Sequence, residues 1–516
     1  MAISKLWNFL LIKQDNSQER MMDIFCDIFV LTMAIKILLS ISVPITSDEA
    51  YFVLWGRYPA LGYYDHPPMI GWILYLLQLI SSSTLIMRLP AIVFSQMISI
   101  GIYIFLKQFD EYKAVLAALF WLVSPINILN VLVTTDAPLL LFSFLSVISL
   151  YYAVNKQNYL FYILSGLSLG AAFLSKYFAV LLGLSYLIYY IASEKTYQKT
   201  IGFIIIFAIV LPFGALNFYY NYENGWTNIM FNLINRNQNE SFKIIKPIAF
   251  ILCQLYLLTP PIVYYVFKKR KNLRELIFGD RYFNFFAIAF IVPLMIFAVI
   301  SLKKMVGLHW LLSFYPIVYI LSFILLSKIE LLKSIRFMAV FSFFHILIIF
   351  IGLSLPLPII QNNRNYPIVI ASMYPKIIIN YFKQYENEFY FAAPSYADSA
   401  IFEFYYRKHV AVFGSGSYHA RQDDILTDWI ALNDKNIMIV CHSRQNKEKY
   451  QPFFEKVEIT QVSIKGAAFY FVFGYNFDYE AYKDTVLSAN KKNFYNIPKF
   501  LPIPPSNKYQ FAKYFK

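Results

Sequence analysis

Residues 23–43, DIFCDIFVLTMAIKILLSISV, run directly into residues 44–74, PITSDEAYFVLWGRYPALGYYDHPPMIGWIL. The first run is apolar and long enough to cross a bilayer, because about 30 Å of hydrocarbon takes about 20 helical residues at about 1.5 Å each. The second sets Asp48, Glu49, Asp65 and His66 beside that run. An apolar span followed by a short, acid-bearing loop is the pattern of a membrane protein with polar business at one surface.

The rest of the chain extends the pattern. Its 516 residues are 59% hydrophobic and only 15% charged, with 50 Phe, 42 Tyr and a mean hydropathy of +0.51. Spans are predicted near 23–43, 84–106, 114–133, 137–154, 159–175, 177–193, 201–221, 247–267, 283–301, 310–327 and 335–355, eleven in all. The first is too long for a signal-peptide core and lacks a small-residue cleavage site, so it is expected to stay as a span.

Basic residues assign the sides, since Lys and Arg accumulate in cytoplasmic loops. The loops 107–113, 155–158, 193–199, 268–281 and 327–336 carry fourteen Lys and Arg, and the alternate loops carry seven. The richer set is read as cytoplasmic, together with the N-terminal segment holding Lys5, Lys13 and Arg20. An odd number of spans then puts everything after Leu355 outside. The net charge of +15 is read as membrane topology, with no nucleic-acid motif to suggest otherwise. Three cysteines, Cys26, Cys253 and Cys441, offer neither a disulfide within the outer domain nor a Cys-rich metal site.

Composition changes across LSLPLPIIQNNRNYP (353–367), which divides a transmembrane domain, 1–355, from a soluble domain, 356–516. In the latter, EFYFAAP, HVAVFG, NIMIVCH and AAFYFVFG read as buried strands. SYADSAIFEFYYR, DDILTDWIAL and KEKYQPFFEKV read as helices. The fold class is therefore an α-helical polytopic membrane protein of about eleven spans, with a long first outer loop carrying in-plane helices and a small periplasmic α/β domain. A basic, aromatic tail from Asn490 is expected to rest on an anionic bilayer surface.

Within the first loop, Thr46-Ser47-Asp48-Glu49 fits a capping box, which alone would account for both acids. Tyr51, Trp55 and Tyr58 share a helix face and are expected to lie in the lipid boundary. Topology adds to this reading: Asp136 in LVTTDAPLLL sits at the next outward junction, and Lys176, Arg236, Lys303, Lys304 and His309 fall on the same side. Charges near hydrocarbon cost roughly 2.5 to 3.5 kcal/mol each, so they are kept where they are paired or used. Plainer readings stand beside each: Asp136 as a helix cap, Lys176 snorkelling, His309 as an interface anchor and Arg236 as a solvated loop charge.

The loop DEAYFVLWGRYPALGYYDHPPMIGWI, followed in order by RLPAIVFS, TTDAPLLLF, GLSLGAAFLSKYFAVLLG, NYENGWTNIMF and GLHWLLSFYP, resembles the polyprenyl-phosphate-sugar-dependent glycosyltransferases of the C-type membrane fold. That superfamily includes the protein O-mannosyltransferases and the lipid A aminoarabinose transferases. The resemblance implies a bacterial inner-membrane enzyme moving a sugar, with inversion, from a polyprenyl phosphate to an envelope glycolipid or protein on the periplasmic face. It makes Asp48 the general base, with Glu49 and Asp136 in the catalytic set. From their shared outer side in the topology, His66, Lys176, Arg236, Lys303, Lys304 and His309 are expected to hold the donor phosphate. A divalent cation shared by Asp65 and Glu49 is a further expectation. Asp65-His66 stands where the aminoarabinose transferases carry Glu-Lys, and a neutral His is the weaker phosphate partner. A lipid-linked-sugar flippase is the alternative from another class, but the sequence has no internal duplication of the transporter kind. A non-catalytic envelope assembly protein would leave the outer acids unexplained.

Overall fold

The structure is a computed structural model that describes residues 17–237, 241–279, 281–503 and 510–515. Lys5, Lys13 and Tyr509 lie outside the described residues. The chain forms two compact units, one of Met1–Ser42, Ser81–Ala215 and Asn239–Leu353, the other of Val43–Ile80, Leu216–Gln238 and Ser354–Lys516.

The first unit is helical. Among the described residues, eight helices of the chain are long and apolar enough to cross a membrane: Gln18–Ser42, Thr84–Leu106, Asp136–Lys156, Tyr197–Glu223, Ile245–Lys268, Tyr282–Ser301, Leu308–Leu325 and Lys328–Leu353. The chain is thus a polytopic membrane protein, with eight such helices where eleven spans are predicted.

The three predicted spans that fail do so for visible reasons. The segment 114–133 is a 12-residue helix, Glu111–Leu122, that ends before Ser124 caps the short helix Pro125–Ile128. Residues Ala114 to Leu122 have no exposed surface, so this segment is apolar because it is core. Segments 159–175 and 177–193 become Tyr159–Ser175 and Ala179–Ala192, of 17 and 14 residues, interrupted where Lys176 is extended (φ −163°, ψ 142°). At about 1.5 Å per residue these two helices reach about 26 and 21 Å, short of a bilayer's hydrocarbon of about 30 Å. Span parity therefore no longer assigns a side to the C-terminal domain.

Two interior features of this unit are not legible as spans or loops. Helix Ile245–Lys268 turns at Thr259 (φ 65°), the residue before Pro260, where proline disfavours the helical conformation. Lys36, with no exposed surface, donates from Nζ to the Ile92 carbonyl (3.2 Å), to Asn127 Oδ1 (3.3 Å) and to Ser95 Oγ. A lysine buried in an apolar helix is tolerated because oxygens surround its amino group.

The second unit is built on a five-stranded mixed sheet in the order β2-β1-β3-β5-β4, with β1 Tyr390–Ala393, β2 Ala411–Val412, β3 Ile437–Cys441, β4 Phe454–Ile464 and β5 Ala467–Phe477. β1 runs parallel to β2 and β3, whereas β5 runs antiparallel to β3 and β4. Ile464 pairs with Ala467 across a two-residue loop in which Lys465 and Gly466 both have positive φ (52° and 82°), the turn whose twist suits a hairpin. β4 corrects the helix predicted over KEKYQPFFEKV, where only two short 3-10 turns precede the strand. The helix predicted over DDILTDWIAL is also corrected, to a single turn at Asp423–Leu426. Helix Tyr396–Tyr406 forms as predicted, with Ser395 as its N-cap.

One surface expectation is corrected as well. Tyr51 and Trp55 are buried, with Trp55 stacked on Tyr63 at 4.3 Å between ring centroids, so this face of the first-loop helix belongs to the protein's own core. In the C-terminal tail, Tyr495, Phe511 and Tyr514 are buried in the C-terminal domain's hydrophobic cluster, whereas Phe500 is exposed.

Candidate active site

Helix Ser47–Arg57 starts on a full capping box. Glu49 N–H donates to Thr46 Oγ1 (3.3 Å), and Thr46 N–H donates back to Glu49 Oε2 (3.0 Å). Glu49 is 1% exposed and occupied with this cap, whereas Asp48, one residue earlier, is exposed. The first turn thus separates the two acids: one holds the helix end and the other presents its carboxylate. Asp48 Oδ1 accepts from the hydroxyl of Tyr396, 3.1 Å away.

Asp65 is buried (7% exposed) and accepts at Oδ1 from the Tyr51 hydroxyl at 3.2 Å. His66 Nδ1 lies 3.3 Å from the same oxygen, a close polar contact without the direction of a hydrogen bond. The imidazole also meets the Phe52 ring edge-on at 5.9 Å. The segment NYENGWTNIMF holds this loop from behind, with Asn228 Nδ2 donating to the Tyr63 carbonyl (3.0 Å) and Asn232 Nδ2 to the Asp65 carbonyl (3.1 Å). Burial, aided by the Asp65 charge, pushes the Tyr51 hydroxyl well above its ordinary pKa, so it stays a donor. Arg236 is half-buried over the Phe231 ring at 6.0 Å. Burial pulls its pKa down, and Tyr418 and Asp65 oppose that shift.

In the helical unit, Lys176 Nζ donates to both oxygens of Asp136, at 2.8 and 2.9 Å, with the two side chains 10% and 13% exposed. Asp136 opens helix Asp136–Lys156, and Lys176 sits in the break between Tyr159–Ser175 and Ala179–Ala192. The pair occupies the carboxylate that the sequence reading offers as catalytic, so Asp136 is a charge partner before it is a base. Lys176 also lies 5.0 Å over the Phe178 ring. Phe178 meets Trp310 at 5.0 Å, and Lys304 lies 5.9 Å over Trp310. Gly307 is what lets GLHW fold this tightly, since a Cβ there would come within 2.8 Å of Trp310 Nε1. Lys303 and His309 are exposed.

The predicted residues therefore fall into two groups, Asp48, Glu49, Asp65, His66 and Arg236 in the second unit and Asp136, Lys176, Lys303, Lys304 and His309 in the first. Of the expected divalent pair, Glu49 holds its helix cap and Asp65 accepts from Tyr51 at Oδ1. Among the described residues, no three His, Cys, Asp or Glu side chains group as metal ligands. Tyr51 and Tyr396 are the residues that sequence reasoning missed. No local spacing signals either contact, since their partners Asp65 and Asp48 lie 14 and 348 residues away.

Eight apolar helices, a first loop that presents one carboxylate and buries another, and a small mixed-sheet domain make this a polytopic membrane protein with a sheet domain. The dolichyl-phosphate-mannose-protein mannosyltransferase family matches residues 65–220. The crystal structure of ArnT from Cupriavidus metallidurans in the apo state superposes with a TM-score of 0.59, and the same protein bound to undecaprenyl phosphate with 0.57. Each is 14% identical and covers 86% of this chain and 97% of its own. Among curated proteins none matches the chain in sequence.

Proposed function

We propose that the protein is a membrane glycosyltransferase that moves a sugar from a polyprenyl-phosphate donor to a hydroxyl or phosphate of an envelope glycolipid or protein, at the periplasmic face of a bacterial inner membrane. The observation that carries this reading is the exposed Asp48 carboxylate, set on a capped helix in the same unit as Asp65, His66 and Arg236. For a hydroxyl acceptor, Asp48 takes the proton as the acceptor oxygen bonds to the anomeric carbon. The bond from that carbon to the phosphate oxygen breaks, and its electrons leave with polyprenyl phosphate. Attack opposite the leaving phosphate inverts the centre. Arg236 and His66, in the same unit as Asp48, are the cation and polar group suited to the departing phosphate.

A membrane-borne donor also needs apolar room. A cavity of 310 Å³ lined by Leu169, Phe173, Ala179, Gly183, Phe207 and Val210 suits part of a prenyl chain. Phe173 and Ala179 lie three residues either side of Lys176. The ArnT complex with undecaprenyl phosphate, on the same fold, supports a donor of this class.

Mass spectrometry of envelope glycolipids and glycoproteins from cells with and without the intact gene tests the reading. A mass difference of one sugar on one molecular class is expected. Identical envelopes in both strains would reject it.

A further inference from the structure

We infer that Tyr396, a residue of the C-terminal domain, positions Asp48 for the transfer, so that the reaction requires that domain. The inference rests on the reading of Asp48 as the base. Two helices of 11 residues, Ser47–Arg57 and Tyr396–Tyr406, run side by side in the same direction and are tied at both ends. At their N-terminal ends the Tyr396 hydroxyl donates to Asp48 Oδ1 (3.1 Å), and the Tyr396 ring meets the Tyr51 ring edge-on at 5.8 Å. At their C-terminal ends Arg57 donates from Nη1 and Nη2 to the carbonyls of Glu403 and Phe404, each at 3.0 Å. A guanidinium on the last carbonyls of a helix is well placed for hydrogen bonding and for the helix dipole. The Tyr58 hydroxyl adds a 3.5 Å contact to Glu403 Oε1.

This double tie fixes the register, and the register puts the hydroxyl on the carboxylate. Tyr51 does the same for Asp65, so two adjacent phenols each hold one acid of the loop. Burial, and then the charge of Asp48, push the Tyr396 hydroxyl above its ordinary pKa, which keeps it a donor. With Oδ1 engaged, Oδ2 is the oxygen that receives the acceptor's proton. A carboxylate held by one oxygen loses the rotation that would let it miss the acceptor, and misplacement by about 1 Å can cost about a hundredfold in rate. Tyr396 is thus a positioning residue.

The test uses the full chain in membranes and a lipid extract of the native membrane as donor source, with released polyprenyl phosphate followed by mass spectrometry. Four proteins are compared at equal membrane level: wild type, Asp48→Asn, Tyr396→Phe and Tyr58→Phe. Tyr58→Phe removes a hydroxyl at the far end of the same helix pair and serves as the structural control. The expected result is that Asp48→Asn is inactive and Tyr58→Phe is near wild type. Tyr396→Phe should lose at least tenfold in maximal rate, with the extract concentration for half-maximal rate unchanged. Asp48→Asn inactive with Tyr396→Phe at full rate would overturn the positioning role alone. Equal losses in Tyr396→Phe and Tyr58→Phe would overturn it too, as a general loosening of the helix pair. An Asp48→Asn protein at wild-type rate would overturn both this inference and the function it rests on.

Discussion

Replacing Lys176 with Met in the full chain should be among the most damaging single changes in the helical unit. Lys176 gives two hydrogen bonds to Asp136, and the side chains are only 10% and 13% exposed. Removing the lysine leaves a carboxylate in a poorly hydrated place without its counter-charge, and breaking such a pair costs about 3 to 5 kcal/mol. The residual exposure argues for the lower end, about 3 kcal/mol. Exchanging both residues for neutral ones of similar size, Lys176→Met with Asp136→Asn, should recover most of that loss, because a buried pair and its uncharged replacement are often close in stability. The assay is unfolding in detergent of wild type, both single variants and the double variant, read as a double-mutant cycle. Single variants as stable as wild type, or a double variant that loses the sum of the two, would refute the claim that this pair is a coupled, buried unit.

Three further outcomes follow from the second unit. Glu49→Gln should change stability by only a few tenths of a kcal/mol, because Gln still completes the capping box, whereas Glu49→Ala should cost about 1 kcal/mol, measured by chemical unfolding. Phe511→Ala should destabilise the C-terminal domain by about 3 to 5 kcal/mol, since the ring is 1% exposed and stacks on Tyr495 at 4.2 Å. His409, whose burial acts against its charge, is nonetheless raised to about 10 by Asp423 and Glu403. Because its folded pKa lies above the unfolded value, the stability it contributes is complete below about 6.5 and disappears as pH rises through about 10. A His409→Gln variant should therefore differ most from wild type in unfolding below about pH 6.5 and converge with it only as pH approaches about 10.

The helices were legible because composition and length announce them, and the capping box because its residues are neighbours in sequence. Ala114 to Leu122 were misread because a fully buried soluble-type helix and a span share one apolar signature. β4 was missed because FEKVEITQVSI interleaves charge with apolar residues at helix-compatible spacing, and only the following Lys465-Gly466 turn marks it as half a hairpin. The carboxylates could be singled out, but their roles could not be divided. Asp48 and Glu49 differ by one position, and only the helix's hydrogen bonds show which is spent. Tyr396 was invisible as a partner because 348 residues separate it from Asp48, and no local pattern encodes that contact. The lysine at 36 hid inside an apolar run whose average hydropathy absorbs one charge.

The central claim is that Asp48 is the proton acceptor of a sugar transfer. Its most direct measurement is the single-turnover release of polyprenyl phosphate, with matching gain of one sugar by the acceptor, in wild type and Asp48→Asn. The substitution keeps the shape, leaves the Thr46 cap in place and still offers Tyr396 an oxygen, so folding should change by less than about 1 kcal/mol. The rate should fall by about 10² to 10⁴. A folded Asp48→Asn protein that releases polyprenyl phosphate and labels the acceptor at the wild-type rate would contradict the claim.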